Sequence, residues 1–83
     1  MLGREKILVY GTNWCFDCFR TKRLLDKYRI NYQWIDINQE KDAKDIVRDI
    51  NHGNLSVPTI VFPDGSTITE PSGQELRKKL NLG

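Results

Sequence analysis

Two β-rich runs, Ile7-Leu8-Val9-Tyr10 and Tyr32 to Ile37, bracket a stretch whose apolar residues repeat at helical spacing. That order constrains the fold more than any other feature of the chain. Strand, helix, strand is the signature of a βαβ unit: a crossover helix lays the second strand parallel to the first, with right-handed connection. The first run is apolar throughout, as in a strand covered on both faces, and it ends at Gly11. From about Cys15 to Tyr28, the residues Cys18, Thr21, Leu25 and Tyr28 share one helical face with cations opposite, and Asn31 is the expected stop.

The rest of the chain extends the pattern. Ala43, Ile46, Val47 and Ile50 fall at i, i+3, i+4 and i+7, so a second helix is expected, closing at Asn51-His52-Gly53 with Gly53 as the left-handed cap. Thr59 to Phe62 and Thr67 to Thr69 flank Pro63-Asp64-Gly65-Ser66, the composition of a hairpin turn. Ser72 and Glu75 stand at capping-box spacing before Leu76 and Leu80, which opens a third helix. The expected order is βαβαββα, an α/β chain without repeat or linker, and 83 residues leave room for one domain spanning 1–83.

Charge excludes some functions and leaves others open. Thirteen cations and eleven anions are spread along the chain, so no chain-wide field calls for nucleic acid or membrane. The densest run, Arg20, Lys22, Arg23, Lys27 and Arg29 against Asp26, lies in the middle and end of the first helix, where cations suit the negative end of the dipole. It reads first as a solvated face and second as a substrate or nucleic-acid patch. The start, MLGREK, is charged before the short run Ile7–Tyr10, too brief for a signal peptide or a membrane span, and a cytoplasmic location is expected.

The chemistry centres on Asn13-Trp14-Cys15-Phe16-Asp17-Cys18-Phe19, which holds both cysteines of the chain. A structural bridge here is ineffective: closing so short a loop restrains the unfolded chain by about 2 kcal/mol, against about 4.7 for a 100-residue loop. Reducing conditions disfavour a permanent bridge as well. A structural zinc site takes four Cys or His ligands, whereas the chain offers Cys15, Cys18 and His52, so no metal is assigned; a cluster shared between two chains stays open. A redox pair is the leading reading. Cys15 falls where a strand turns into a helix, and the free amides and positive dipole end there favour a thiolate. Cys18 lies one turn further in, placed to resolve a mixed disulfide. His52, beside a helix end, is left out of the chemistry.

Trp14-Cys15-Phe16-Asp17-Cys18, followed by Ser56-Val57-Pro58-Thr59 and the Asp64-Gly65 turn, resembles the glutaredoxins of the thioredoxin superfamily over nearly the whole chain. The mycoredoxin type is the most similar, sharing the Trp before the first cysteine, Arg and Lys at Arg20 and Lys22, an Asn-rich stretch before the Val-Pro, and a Pro-Ser opening the last helix. The resemblance implies a thioredoxin-like fold with a central four-stranded mixed sheet and three helices. It also implies a cis Val57-Pro58 bond facing the cysteines, and a Val57 backbone that pairs with the substrate. Thr12, Trp14, Val57, Pro58 and Ser72 are the expected substrate-binding residues beside the catalytic Cys15 and Cys18.

Two departures from the family pattern bear on specificity. Thr69-Glu70 replaces a glycine pair, and Gly73 stands where an acid helps to hold glutathione. Asp17 replaces the usual tyrosine and places a carboxylate near the thiolate. Across about 7 Å the repulsion is roughly 0.6 kcal/mol in water and roughly 2.4 at an effective dielectric of 20. A helix terminus supplies about 0.3–1 kcal/mol in the opposite sense, so Asp17 is expected to tune the Cys15 pKa upward and to make the dithiol a better reductant. Complementing the helix dipole is an equally good account of Asp17.

The expected function is thiol-disulfide oxidoreduction on disulfide-containing or thiolated proteins. No tightly bound cofactor is expected; a low-molecular-weight thiol, glutathione or mycothiol, serves as co-substrate, and the chain is read as a monomer. Two alternatives remain: a thioredoxin-like dithiol donor reduced by a flavin reductase, and a dimer holding an iron-sulfur cluster.

Overall fold

The computed structural model describes residues 6–82. The charged start, Met1 to Glu5, and Gly83 lie outside the described residues. The elements follow the expected order: β1 Ile7–Gly11, α1 Phe16–Lys27, β2 Tyr32–Asp36, α2 Ala43–Ile50, β3 Thr59–Val61, β4 Thr67–Thr69 and α3 Gly73–Lys79.

The four strands form one mixed sheet in the order β2-β1-β3-β4. β1 pairs parallel with β2, Val9 opposite Trp34, and antiparallel with β3, Val9 opposite Ile60. β3 and β4 form the hairpin, with Ile60 opposite Ile68. Its turn is closed by the Gly65 amide on the Phe62 carbonyl (2.9 Å), with Gly65 at φ +89°. Asp64 accepts hydrogen bonds from the Ser66 amide and hydroxyl, and the Lys79 ammonium holds the other carboxylate oxygen at 3.1 Å, tying the turn to α3.

The alternation of β1 explains why it is apolar throughout. Ile7 and Val9 face a cluster with Leu25 of α1, Ile60, Phe62 and Leu76 of α3. Tyr10 faces the other side, with Ile37, Ala43 and Val47 of α2, and partly buried Leu8 packs there too. Each strand face therefore has its own helix layer. Burying a side chain such as Leu25 or Val9 contributes about 1.5–3 kcal/mol.

Helix ends depart from the sequence expectation in a consistent way. α1 runs to Lys27, within a residue of the expected Tyr28, but it is stopped by Arg29 in the left-handed region (φ 55°) rather than by Asn31; the Arg29 amide bonds to Asp26 O (3.0 Å) and the Ile30 amide to Leu25 O (2.9 Å). This is a Schellman cap, fixed by packing Ile30 on the Leu25 cluster rather than by a glycine. α2 ends likewise: His52 (φ 58°), not Gly53, occupies the first left-handed position, and the Gly53 amide reaches Arg48 O at 2.7 Å. Tyr28, counted on the core face, is the C-cap of α1 and is exposed. Ile46, counted in the apolar stripe of α2, is also exposed, since α2 touches the sheet through Ala43 and Val47.

Candidate active site

β1 delivers the chain to the sheet's end, and the turn after Gly11 begins α1 at once. Thr12 O accepts the Cys15 amide at 3.4 Å, and Cys15 becomes the N-cap of α1 in extended geometry (φ −85°, ψ 114°). A cap side chain normally accepts from an amide one turn on. Here the cap atom is sulfur: Cys15 Sγ accepts the Cys18 amide at 3.0 Å. Hydrogen-bonding to the free amides of a helix start favours the charged form of an acidic group.

The two sulfurs differ sharply in environment. Cys15 is half-buried and Cys18 is 1% exposed; both are free thiols. Burial is the main cause that pushes the Cys18 thiol up to about 12, with the hydrogen bond to Cys15 adding to it, the Thr12 backbone opposing it, and the negative charges of Cys15 and Asp17 adding further. Cys18 therefore stays protonated at neutral pH. One sulfur at the surface on a helix amide, one neutral sulfur beneath it, is the arrangement a resolving pair needs.

Val57-Pro58 is cis, and the Val57 carbonyl lies 3.9 Å from Cys15 Sγ. Pro58 is buried and Val57 half-buried. Trp14 and Phe16 flank Cys15 at 78% and 73% exposure, so Trp14 belongs to the surface rather than to the core. Thr12 is buried beneath the site, and its hydroxyl has no hydrogen-bond partner among the described residues. Asp17 is partly exposed and paired with Arg20 one turn on (Oδ1 to Nη2, 2.9 Å), which offsets its charge. Ser72 caps α3 by accepting the Glu75 amide at 3.0 Å and lines a cleft of about 340 Å³ between α1 and α3. Among the described residues no three His, Cys, Asp or Glu side chains cluster as a metal site within one chain requires.

Two supporting features were not singled out from the sequence. Gly11 permits the close approach of Cys18: a Cβ there would stand 2.5 Å from Cys18 Sγ and 2.6 Å from the Trp34 ring. The sequence signal was the glycine ending an otherwise apolar strand run. Trp34 is half-buried between this position and the Lys22 ammonium, which lies 4.0 Å from the ring centroid. The second feature is Asn51, whose amide nitrogen donates to Val47 O and Thr59 Oγ1 (both 2.9 Å) while its oxygen accepts from Thr69 Oγ1 (2.6 Å). Thr59 Oγ1 donates in turn to Ser56 O at 2.7 Å, so the network fastens the end of α2 to both sides of Val57-Pro58, at Ser56 and at Thr59 where β3 begins. Asn51 belongs to the Asn-rich stretch that carries the family resemblance, but nothing in the local sequence marks its partners.

Comparison with known proteins agrees with this geometry. The glutaredoxin family model matches residues 7–68. A Mycobacterium tuberculosis protein assigned by name to the glutaredoxins is 43% identical over 74 residues, covering 89% of this chain and 88% of the relative. Mycoredoxin 1 of Corynebacterium glutamicum is 34% identical over 76 residues, covering 92% and 94% respectively. The crystal structure of a point mutant of a thioredoxin-like protein superposes with a TM-score of 0.81 at 26% identity, over 94% of this chain and 97% of that one. The chain belongs to the glutaredoxin family, thioredoxin-fold proteins whose general role is thiol-disulfide oxidoreduction.

Proposed function

We propose that this protein reduces protein disulfides, or mixed disulfides between a protein and a low-molecular-weight thiol, with Cys15 as nucleophile. The observation that carries the reading is the contrast between the two sulfurs: Cys15 is accessible and accepts the Cys18 amide at 3.0 Å, whereas Cys18 is buried and held neutral. The Cys15 thiolate attacks one substrate sulfur, forming a new S–S bond and releasing the other sulfur as thiolate. Resolution follows by one of two routes. Cys18, once deprotonated, attacks Cys15 Sγ, closes the intramolecular disulfide and releases the bound sulfur as thiolate, or a second small thiol attacks the sulfur bonded to Cys15, carries it away as a disulfide and frees the Cys15 thiolate.

The burial of Cys18 favours the small-thiol route for mixed disulfides. Cys18 is 1% exposed, and that burial, the main cause holding its thiol protonated, persists once Cys15 is bonded to a substrate sulfur. The Val57 amide has no backbone partner among the described residues, which supports pairing of that segment with a substrate backbone. Trp14 supplies an exposed contact and Pro58 lies buried beside Val57, while Ser72 lines the cleft between α1 and α3. The kinship with Mycoredoxin 1, and Gly73 in place of an acid, favour mycothiol over glutathione as the co-substrate.

The test is turnover of a mixed-disulfide substrate with mycothiol, with glutathione and with a thioredoxin-reductase system in parallel. Cys15→Ser should abolish all turnover, and Cys18→Ser should retain activity on small-thiol mixed disulfides. An active Cys15→Ser variant would overturn the assignment of the nucleophile. Support by the flavin reductase alone would make the protein a thioredoxin-like donor instead.

A further inference from the structure

The exposed face of α1 has a composition that the chemistry at Cys15 does not explain. Phe16, Phe19, Arg20, Arg23 and Lys27 recur at spacings of three and four, which places them on one face of the helix. Phe19, like Phe16, is exposed, at 54%. The Arg20 and Arg23 guanidinium groups lie 5.9 and 5.8 Å from the Phe16 and Phe19 rings, so the aromatics remain at the surface beneath cations. Alongside runs the cleft between α1 and α3, with Leu24 and Leu76 in its lining and Arg20, Arg23, Lys27 and Arg77 around it. No acidic residue lines it. Arg20 is engaged by Asp17, but Arg23, Lys27 and Arg77 form no ion pair among the described residues.

We propose that this face docks an acidic segment of the disulfide-bearing protein substrate, carboxylates meeting Arg23, Lys27 and Arg77 and apolar side chains entering the cleft between them. The inference rests on the oxidoreductase reading, because it supplies the protein whose disulfide is to be presented to Cys15. Length favours a polypeptide over a small thiol. From the Cys15 cap to Lys27, twelve helical rises span about 18 Å, the reach of five or six extended residues. Composition favours a polypeptide over nucleic acid: the whole chain carries only +2, too little to neutralise a run of phosphates, and apolar lining alternates with the cations. The redox step is unchanged: two electrons pass from the dithiol to the docked disulfide, Cys15 and Cys18 become joined, and the two released sulfurs take up protons.

The test uses the reduced full chain in single turnovers against three disulfides. One is a short peptide disulfide with a tail alternating glutamate and leucine, the second the same peptide with glutamine for glutamate, and the third 2-hydroxyethyl disulfide, too small to reach the cleft. The acidic peptide should react roughly tenfold faster than its glutamine counterpart. The advantage should vanish as ionic strength rises from about 0.01 to about 1 M, shortening the Debye length from about 30 to about 3 Å. The Arg23→Gln/Lys27→Gln double variant should lose most of the preference and keep the wild-type rate on 2-hydroxyethyl disulfide. Equal rates for the two peptides, or a preference that survives the double substitution, would overturn the proposal. So would a fluorescent single-stranded DNA that binds the wild type and displaces the acidic peptide. If even 2-hydroxyethyl disulfide is untouched, the redox reading has failed; anisotropy with a cysteine-free labelled acidic peptide then decides docking alone, through binding to the wild type and its roughly tenfold weakening in the double variant.

Discussion

Gly11→Ala tests how tightly Cys18 is seated. The added Cβ would stand 2.5 Å from Cys18 Sγ and 2.6 and 2.9 Å from two atoms of the Trp34 ring. Ordinary contact needs about 3.5–4.0 Å, so sulfur and ring must each give way by about 1 Å. Such overpacking costs about 1–3 kcal/mol. For a domain of this size each 1 kcal/mol lowers Tm by about 4–8 °C, which puts the expected fall between about 4 and 24 °C. Thermal unfolding of the reduced protein followed by circular dichroism measures it. The same displacement should weaken formation of the Cys15–Cys18 disulfide while leaving Cys15 reactive toward small disulfides, as peptide mapping after equilibration with a thiol-disulfide buffer would report. A Trp34→Leu substitution in the same protein should recover part of the loss by making room, a coupling that a general glycine effect lacks. Refutation is simple: Gly11→Ala within about 0.5 kcal/mol of wild type, with the disulfide equilibrium unmoved, means that the close approach is not what the glycine provides.

Three further predictions concern titration, the polar network and charge. The Cys18 thiol is raised from 9.0 to about 12, so the folded reduced protein keeps a proton that the unfolded chain releases above pH 9. Stability should therefore fall above pH 9 by up to about 1.4 kcal/mol per pH unit, and Cys18→Ser should flatten the slope; urea titrations between pH 8 and 10 isolate it, because Tyr10 and Tyr32 are raised from 10.0 and contribute only beyond that. Asn51→Ala removes three hydrogen bonds and strands the Thr69 hydroxyl, a loss of about 1–3 kcal/mol by urea unfolding accompanied by slower exchange with small mixed disulfides; a stable, fully active variant would count against the network. Asp17→Asn should raise the reduction potential by about 5–20 mV, the equivalent of an exposed pair's 0.2–1 kcal/mol given that Arg20 already engages the carboxylate, and an unmoved potential in a thiol-disulfide buffer would leave Asp17 a helix-dipole partner only.

The parts of the molecule legible in the sequence are those where one local rule suffices. The apolar run at Ile7–Tyr10, the stripe through Cys18, Thr21 and Leu25, and the Ser72 cap all appear where periodicity and capping place them. The Val57-Pro58 bond was legible through the family resemblance alone. What remained hidden depends on tertiary packing. Arg29 and His52 adopt left-handed conformations at helix ends although each has a side chain, because the residues around them are anchored elsewhere. Ile46 and Tyr28 satisfy a helical pattern yet face solvent, since neither meets a neighbouring layer. The roles of Gly11 and Asn51 lie in contacts with residues 7 to 23 positions away, which no local pattern encodes.

Everything chemical in this account depends on Cys15, rather than Cys18, being the sulfur that meets the substrate. Limiting iodoacetamide added to the reduced protein at pH 7, followed by peptide mass mapping, tests it directly. Cys15 should be modified while Cys18 stays unlabelled until the protein is unfolded. Labelling of Cys18 first, or of both at the same rate, would contradict it.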